Sequence, residues 1–180
     1  MVRYHSRVVV PFDLNPVGVV RSSRAEPEDD HWDDESAVIE LLEPFDERSV
    51  RGLGTFSHCI VVYVFDRAAW DESRMSRRPR GNPEWPEVGI FAQRAKDRPN
   101  RLGVSVARIL AVEGPVVHVS GLDAVEGTPV VDLKPWMDAF GPRGTVTEPD
   151  WAGELMRGYW TAGRDQSAGL GGGSSRRSST

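Results

Sequence analysis

Short apolar runs bounded by Gly, Pro or charged residues punctuate this chain. Seven of them read as strands: residues 17–21, 37–42, 59–65, 88–91, 104–112, 116–119 and 130–133. Val, Ile and Phe dominate the runs, and these residue types suit a pleated, half-buried surface. Glu113-Gly114 separates the fifth run from the sixth and Pro115 opens the sixth, which is hairpin punctuation and points to antiparallel pairing. Helical patterning is scarce. Residues 46–52 resemble one capped turn, and residues 149–160 place Pro149 at a first turn, with Trp151, Leu155, Met156 and Tyr159 on one stripe that should pack. Many short strands with little helix predict a small barrel or sandwich with a peripheral C-terminal helix, not alternating βαβ units.

Composition narrows the class. The chain has 180 residues, 39% of them hydrophobic and 27% charged, which suits one soluble domain with a real core, assigned to residues 1–161. Residues 162–180 are mostly Gly, Ser and Arg with almost nothing apolar to bury, and a disordered tail is expected there. Its glycine run follows no strand and opens no helix, so it is not a dinucleotide-binding fingerprint. The apolar run before Phe12 is too short for a signal peptide, and no segment approaches the roughly 18 apolar residues of a membrane span. A cytoplasmic protein without membrane association is therefore the expectation. Cys59 stands alone within an apolar run and reads as a small buried hydrophobe. His5, His31, His58 and His118 lack ligand spacing, so no metal site is expected.

Charge is unevenly placed. The formal net charge is -5, a field that repels a phosphate backbone. Locally, an acidic block covers residues 26–35, whereas Arg74, Arg77, Arg78, Arg80, Arg94, Lys96, Arg98 and Arg101 form a basic stretch. The two stretches read either as opposed loops lying against each other or as an acidic protein carrying a nucleic-acid patch. The twelve residues between Phe91 and Val104 hold three Arg, a Lys, an Asp, an Asn and a Pro. Such a loop between two strand-like runs places chemistry at a strand end. Asp132 and Lys134 share a strand face and read as a structural ion pair.

The motifs, taken in order, resemble one family. Pro16-Val-Gly-Val-Val-Arg-Ser22, Leu53-Gly-Thr-Phe-Ser-His58, Val64-Phe65, Gly89-Ile-Phe-Ala-Gln-Arg94, Arg98-Pro-Asn100, Gly103-Val-Ser105 and residues 121–135 together look like the TrmO (TsaA-like) tRNA methyltransferases. The resemblance implies a mainly β fold, a compact antiparallel β-barrel, that dimerises and binds S-adenosyl-L-methionine without a Rossmann sheet. It implies methylation of N6 of a threonylcarbamoyl-modified adenosine beside the anticodon of tRNA. Carried over by position, the cofactor contacts fall on Asp66, Arg67, Arg94, Val104, Ser120, Gly121, Leu122 and Asp123, with Asp66 and Asp123 as candidate proton acceptors. For the methyl acceptor, Asp29 and Trp32 offer a carboxylate and an aromatic wall, and Arg98, Asn100 and Arg101 line the central loop. Many relatives carry His where this chain has Asp66, and Pro where it has Arg101. The acceptor therefore stays open between tRNA and a small heteroaromatic or amine metabolite, with a non-catalytic nucleotide-binding barrel as the third reading.

Overall fold

The computed structural model describes residues 13–26, 30–33 and 35–160. Asp29 and the expected tail at residues 162–180 lie outside them. Among the described residues eight strands form: β1 (Gly18–Ser22), β2 (Ser36–Leu41), β3 (His58–Val64), β4 (Ser76–Arg77), β5 (Val88–Gly89), β6 (Leu102–Glu113), β7 (Val116–Ser120) and β8 (Pro129–Pro135), followed by one helix, α1 (Asp150–Leu155). Six of the strands close into a barrel in the order β1, β2, β7, β6, β3, β8 and back to β1, every pairing antiparallel. Closure leaves no unpaired barrel edge.

Period-two alternation decides which side chains fill the barrel. Strand β3 turns Cys59, Val61 and Tyr63 inward, while β7 turns Val117 and Val119 inward and leaves His118 half-buried. Val20, Ile39 and Val130 complete the same cluster at 0% exposure, and burying each such side chain contributes roughly 1.5–3 kcal/mol. Strand β6 faces the core with Gly103, Ser105 and Ala107, its smallest residues. The reason is opposite them. Gly103 pairs with Tyr63, and a Cβ at residue 103 would stand 2.3 Å from Tyr63 Cε2, so the phenol ring lies in the space that a side chain would take.

Four expectations need adjusting. Residues 88–91 are not a barrel strand: only Val88–Gly89 is extended, pairing with β4 in a separate ribbon, and the chain then turns over residues 90–92 as Ile90 N–H bonds the Met75 carbonyl at 2.9 Å. Pro115 does not open β7, because Gly114 (φ 59°) and Pro115 form the turn and β7 begins at Val116. The capped turn at residues 46–52 is a run of turns, headed by Asp46, whose carboxylate accepts the Arg48 backbone N–H at 3.0 Å. Helix α1 covers six residues only, and turns lead from it to Gly158 at φ 83°. Its stripe nevertheless packs, with Trp151, Leu155, Met156 and Tyr159 all half-buried. Among the described residues no helix is long and apolar enough to cross a membrane.

Candidate functional site

Because all barrel strands are antiparallel, one end gathers the last residues of β1, β3 and β7 with the first residues of β2, β6 and β8. At this end the inward Tyr63 donates its hydroxyl to Asp123 Oδ1 at 2.8 Å and lies 3.2 Å from Ser105 Oγ. Ser105 Oγ donates to the same Oδ1, and Tyr159 donates to Oδ2 at 2.7 Å. Three hydroxyls from three parts of the chain thus converge on one half-buried carboxylate, a charge-assisted arrangement that fixes the loop after β7. Burial, and next the negative charge of Asp123, hold the Tyr63 phenol well above its ordinary pKa, so it remains a donor. In that loop Gly121 takes φ 70° and Leu122 seals the barrel at 1% exposure.

The rim of this end is built by arginines. Arg101 donates to the carbonyls of Asp66 (3.3 Å) and Ala68 (3.2 Å), while Phe65 N–H bonds the Arg101 carbonyl at 2.8 Å. Arg67 bridges the carbonyls of Ala25 (2.7 Å) and Glu126 (3.2 Å). Arg94 bonds the Val104 carbonyl, Arg98 the Gln93 carbonyl (3.1 Å) and Arg78 the Trp85 carbonyl. Two arginines meet carboxylates instead: Arg77 faces Asp97 at 3.7 Å, and Arg80 faces Asp30 at 3.0 Å. The acidic and basic stretches therefore do touch, at Asp30 and Arg80. A carbonyl orients a guanidinium without neutralising it, so Arg67, Arg78, Arg94, Arg98 and Arg101 keep their charge toward solvent. Asn100 and Arg101 hold left-handed backbones (φ 61° and 52°). Such consecutive positive-φ residues store strain of the kind found at ligand sites.

The expected site residues separate into groups. Asp66 and Arg67 stand exposed just past β3, and among the described residues the Asp66 carboxylate has no hydrogen-bond partner. Arg94 and Val104 meet on the outer face of β6, whereas Ser120, Gly121, Leu122 and Asp123 close the barrel end beside them. Trp32 differs from the aromatic wall expected for the acceptor: it is 4% exposed, under the Arg24 guanidinium, which sits 4.1 Å from the ring centroid. Arg24 is itself held by Glu35 at 3.2 Å. Tyr63, Ser105 and Tyr159 were not among the expected site residues, although Ser105 lies in a family motif and Tyr159 on the packing stripe. The available signal was a tyrosine at an inward position of a valine-rich strand, with Gly103 opposite it on the partner strand to receive its ring. Two open depressions of about 370 and 530 Å³ lie at the opposite end, around residues 45–56, and none of the expected site residues lines them.

The fold and this end of it define a closed antiparallel barrel with a rim of arginines around a hydroxyl-locked loop. Comparison with known proteins gives the family. Residues 19–141 match the sequence model of the tRNA-methyltransferase O N-terminal domain, and the chain belongs to that family. It is 41% identical over 103 residues to a putative S-adenosylmethionine-dependent methyltransferase, RcsF, of Pseudomonas aeruginosa, covering 57% of this chain and 43% of the relative. It is 33% identical over 106 residues to the human tRNA (adenine(37)-N6)-methyltransferase, covering 57% of this chain and 23% of that protein. The crystal structure of TrmO from Pseudomonas aeruginosa superposes with a TM-score of 0.65 at 27% identity, over 79% of this chain and 62% of that one. The chain thus spans less than half the length of either of these curated relatives.

Proposed function

We propose that this chain is an S-adenosyl-L-methionine-dependent N-methyltransferase acting on tRNA, at N6 of the threonylcarbamoyl-modified adenosine beside the anticodon. The observation that carries the reading is the set of guanidiniums at the rim, oriented by neutral carbonyls and left charged, where a polyanion or a ligand carboxylate is recognised. Family membership and the name of the human relative support the same activity.

The residues present fit the cofactor. Arg94 and Arg67 match an amino-acid carboxylate, the exposed carboxylate of Asp66 matches ribose hydroxyls, and Val104, 43% exposed, offers an apolar wall to the adenine. Bound there, the cofactor supplies an activated methyl group on a sulfonium. The protein's part is alignment and exclusion of water, since an in-line displacement gains most from near-attack positioning. Asp66 is the better proton acceptor of the two candidates, because Asp123 already accepts three hydroxyls. Arg98, Asn100 and Arg101 form the turn that would meet the acceptor. The outer face of β6, with Val104, Val106 and Leu110 exposed at 43%, 43% and 53%, is the surface through which two chains would associate.

Labelled-methyl transfer to total tRNA and to a small-metabolite extract, with calorimetry of the cofactor and light scattering of the protein, tests the reading. Methylation of tRNA that is lost in Arg94→Ala, by a protein of twice the chain mass, is the expected result. Methylation of a free heteroaromatic amine with none on tRNA would move the acceptor to the metabolite class. Absence of cofactor binding would leave a non-catalytic barrel and overturn the proposal.

A further inference from the structure

The carboxylate that locks the site loop is held partly from a segment outside the matched family domain. That domain ends at residue 141, whereas Tyr159 Oη, 36 residues from Asp123 in sequence, donates to Asp123 Oδ2 at 2.7 Å. Tyr159 is not a loose hook. The backbone N–H groups of His31, Trp32 and Asp33 bond the carbonyls of Gly158, Tyr159 and Trp160 at 3.3, 3.2 and 2.9 Å, one after another. Upstream, Trp85 Nε1 donates to Glu154 at 2.7 Å, and the Trp85 and Trp151 rings lie 6.5 Å apart.

The segment around residues 31–35 in turn lies against the same loop. Gly121 N–H bonds the Glu35 carbonyl at 3.3 Å, and a Cβ on Gly121 would stand 3.3 Å from Asp33 Oδ1. Loop 120–123 is therefore gripped twice from outside the barrel: directly by Tyr159, and through Asp33 and Glu35, beside residues 31–33 that bond the carbonyls of 158–160. From inside the barrel it is gripped by Tyr63 and Ser105.

We propose that Tyr159 is a positioning residue for the cofactor loop, so that docking of residues 158–160 through the Tyr159 hydroxyl and binding of S-adenosyl-L-methionine reinforce each other. The inference rests on the methyltransferase reading above, and it assigns a role in the site to a segment beyond the family domain. Coupling of this kind is reciprocal: if docking strengthens cofactor binding, the cofactor strengthens docking by the same factor. A hydrogen bond to a charged acceptor is strong, but only part of it reaches the ligand, so removing the Tyr159 hydroxyl should weaken cofactor affinity about 3- to 10-fold.

The test uses the full chain with S-adenosyl-L-methionine in calorimetry and in backbone hydrogen exchange. Tyr159→Phe removes the hydroxyl and keeps the ring. Glu154→Ala removes the helix contact to Trp85 and keeps the hydroxyl. The expected result is an affinity loss of about 3- to 10-fold in Tyr159→Phe and under about 2-fold in Glu154→Ala. In the wild type, cofactor should slow exchange at the amides of Trp32 and Asp33, and in Tyr159→Phe that protection should be lost. Binding slows exchange at every amide that opens by global unfolding, so the decisive readout is protection at residues 32–33 in excess of that at the barrel strands, which a mere packing role would not give. Unchanged affinity in Tyr159→Phe, or an equal loss in both variants, would overturn the proposal. Failure of the wild type to bind the cofactor would instead overturn the methyltransferase reading on which it rests.

Discussion

Gly103→Ala is the smallest change that should disturb both the barrel and the site. A Cβ at residue 103 would lie 2.3 Å from Tyr63 Cε2, 2.4 Å from Cζ and 2.9 Å from Cδ2, all well inside the roughly 3.5–4.0 Å at which carbon atoms rest. Tyr63 has little freedom to yield. Its ring is 1% exposed, stands edge-on to Phe65 at 5.3 Å and is tethered by its hydroxyl to Asp123. Strands β3 and β6 cannot simply part, since they pair over seven residues from His58 to Val64. Overpacking a closed core costs about 1–3 kcal/mol, and pulling the phenol from a charged acceptor adds about 1.5–3 kcal/mol. The expected loss is therefore about 2.5–6 kcal/mol, measured as a fall in the urea midpoint at unchanged slope. Tyr63→Phe should lose only the hydrogen-bond part. Combining Gly103→Ala with Tyr63→Val should cost clearly less than the sum of the single changes, because the clash requires both atoms. If Gly103→Ala stays within about 0.5 kcal/mol of the wild type, the usual range for surface changes, the close approach of ring to backbone is not a constraint on this fold.

Two further outcomes follow from burial and charge. Cys59 is 0% exposed, and burial pushes its thiol from 9.0 up to about 11. The folded state thus holds a proton that the unfolded chain releases, and the stabilisation is complete below about pH 9 and lost as pH rises toward 11. Tyr63, raised by burial and then by Asp123, acts with the same sign, so alkaline urea titrations should show declining stability. Cys59→Ala should flatten part of that decline, and native protein at pH 8 should not react with a thiol reagent; rapid labelling without unfolding would contradict the burial. If tRNA is the partner, replacing Arg78, Arg98 and Lys96 by Ala should weaken binding across sequences and reduce the salt slope by about one per lost phosphate contact. Unchanged salt dependence would remove these cations from the interface.

Alternation, turn punctuation and the scarcity of helical stripes were legible in the sequence, because they depend on neighbours within a few residues. Six of the seven apolar runs became barrel strands, and Asp132 and Lys134 form the expected pair at 2.5 Å. The run at 88–91 misled, since apolar content alone cannot tell a strand from a buried Ile90 at a turn. Strand β4, Ser76–Arg77, carries no apolar signal at all. The motifs around Arg94, Gly103 and Asp123 told which end of the chain's chemistry to examine, but not what each side chain would touch. Only the tertiary structure brought Tyr63 across 60 residues and Tyr159 across 36 to one carboxylate. Only the tertiary structure put Arg67 and Arg101 over the carbonyls of distant segments, whereas Arg78, Arg94 and Arg98 meet carbonyls within ten residues. Trp32 went the other way, from expected acceptor wall to covered core residue. Local pattern reports which faces are apolar. Which polar atoms meet across a closed barrel depends on register and shear between distant strands, and those emerge when the sheet closes on itself.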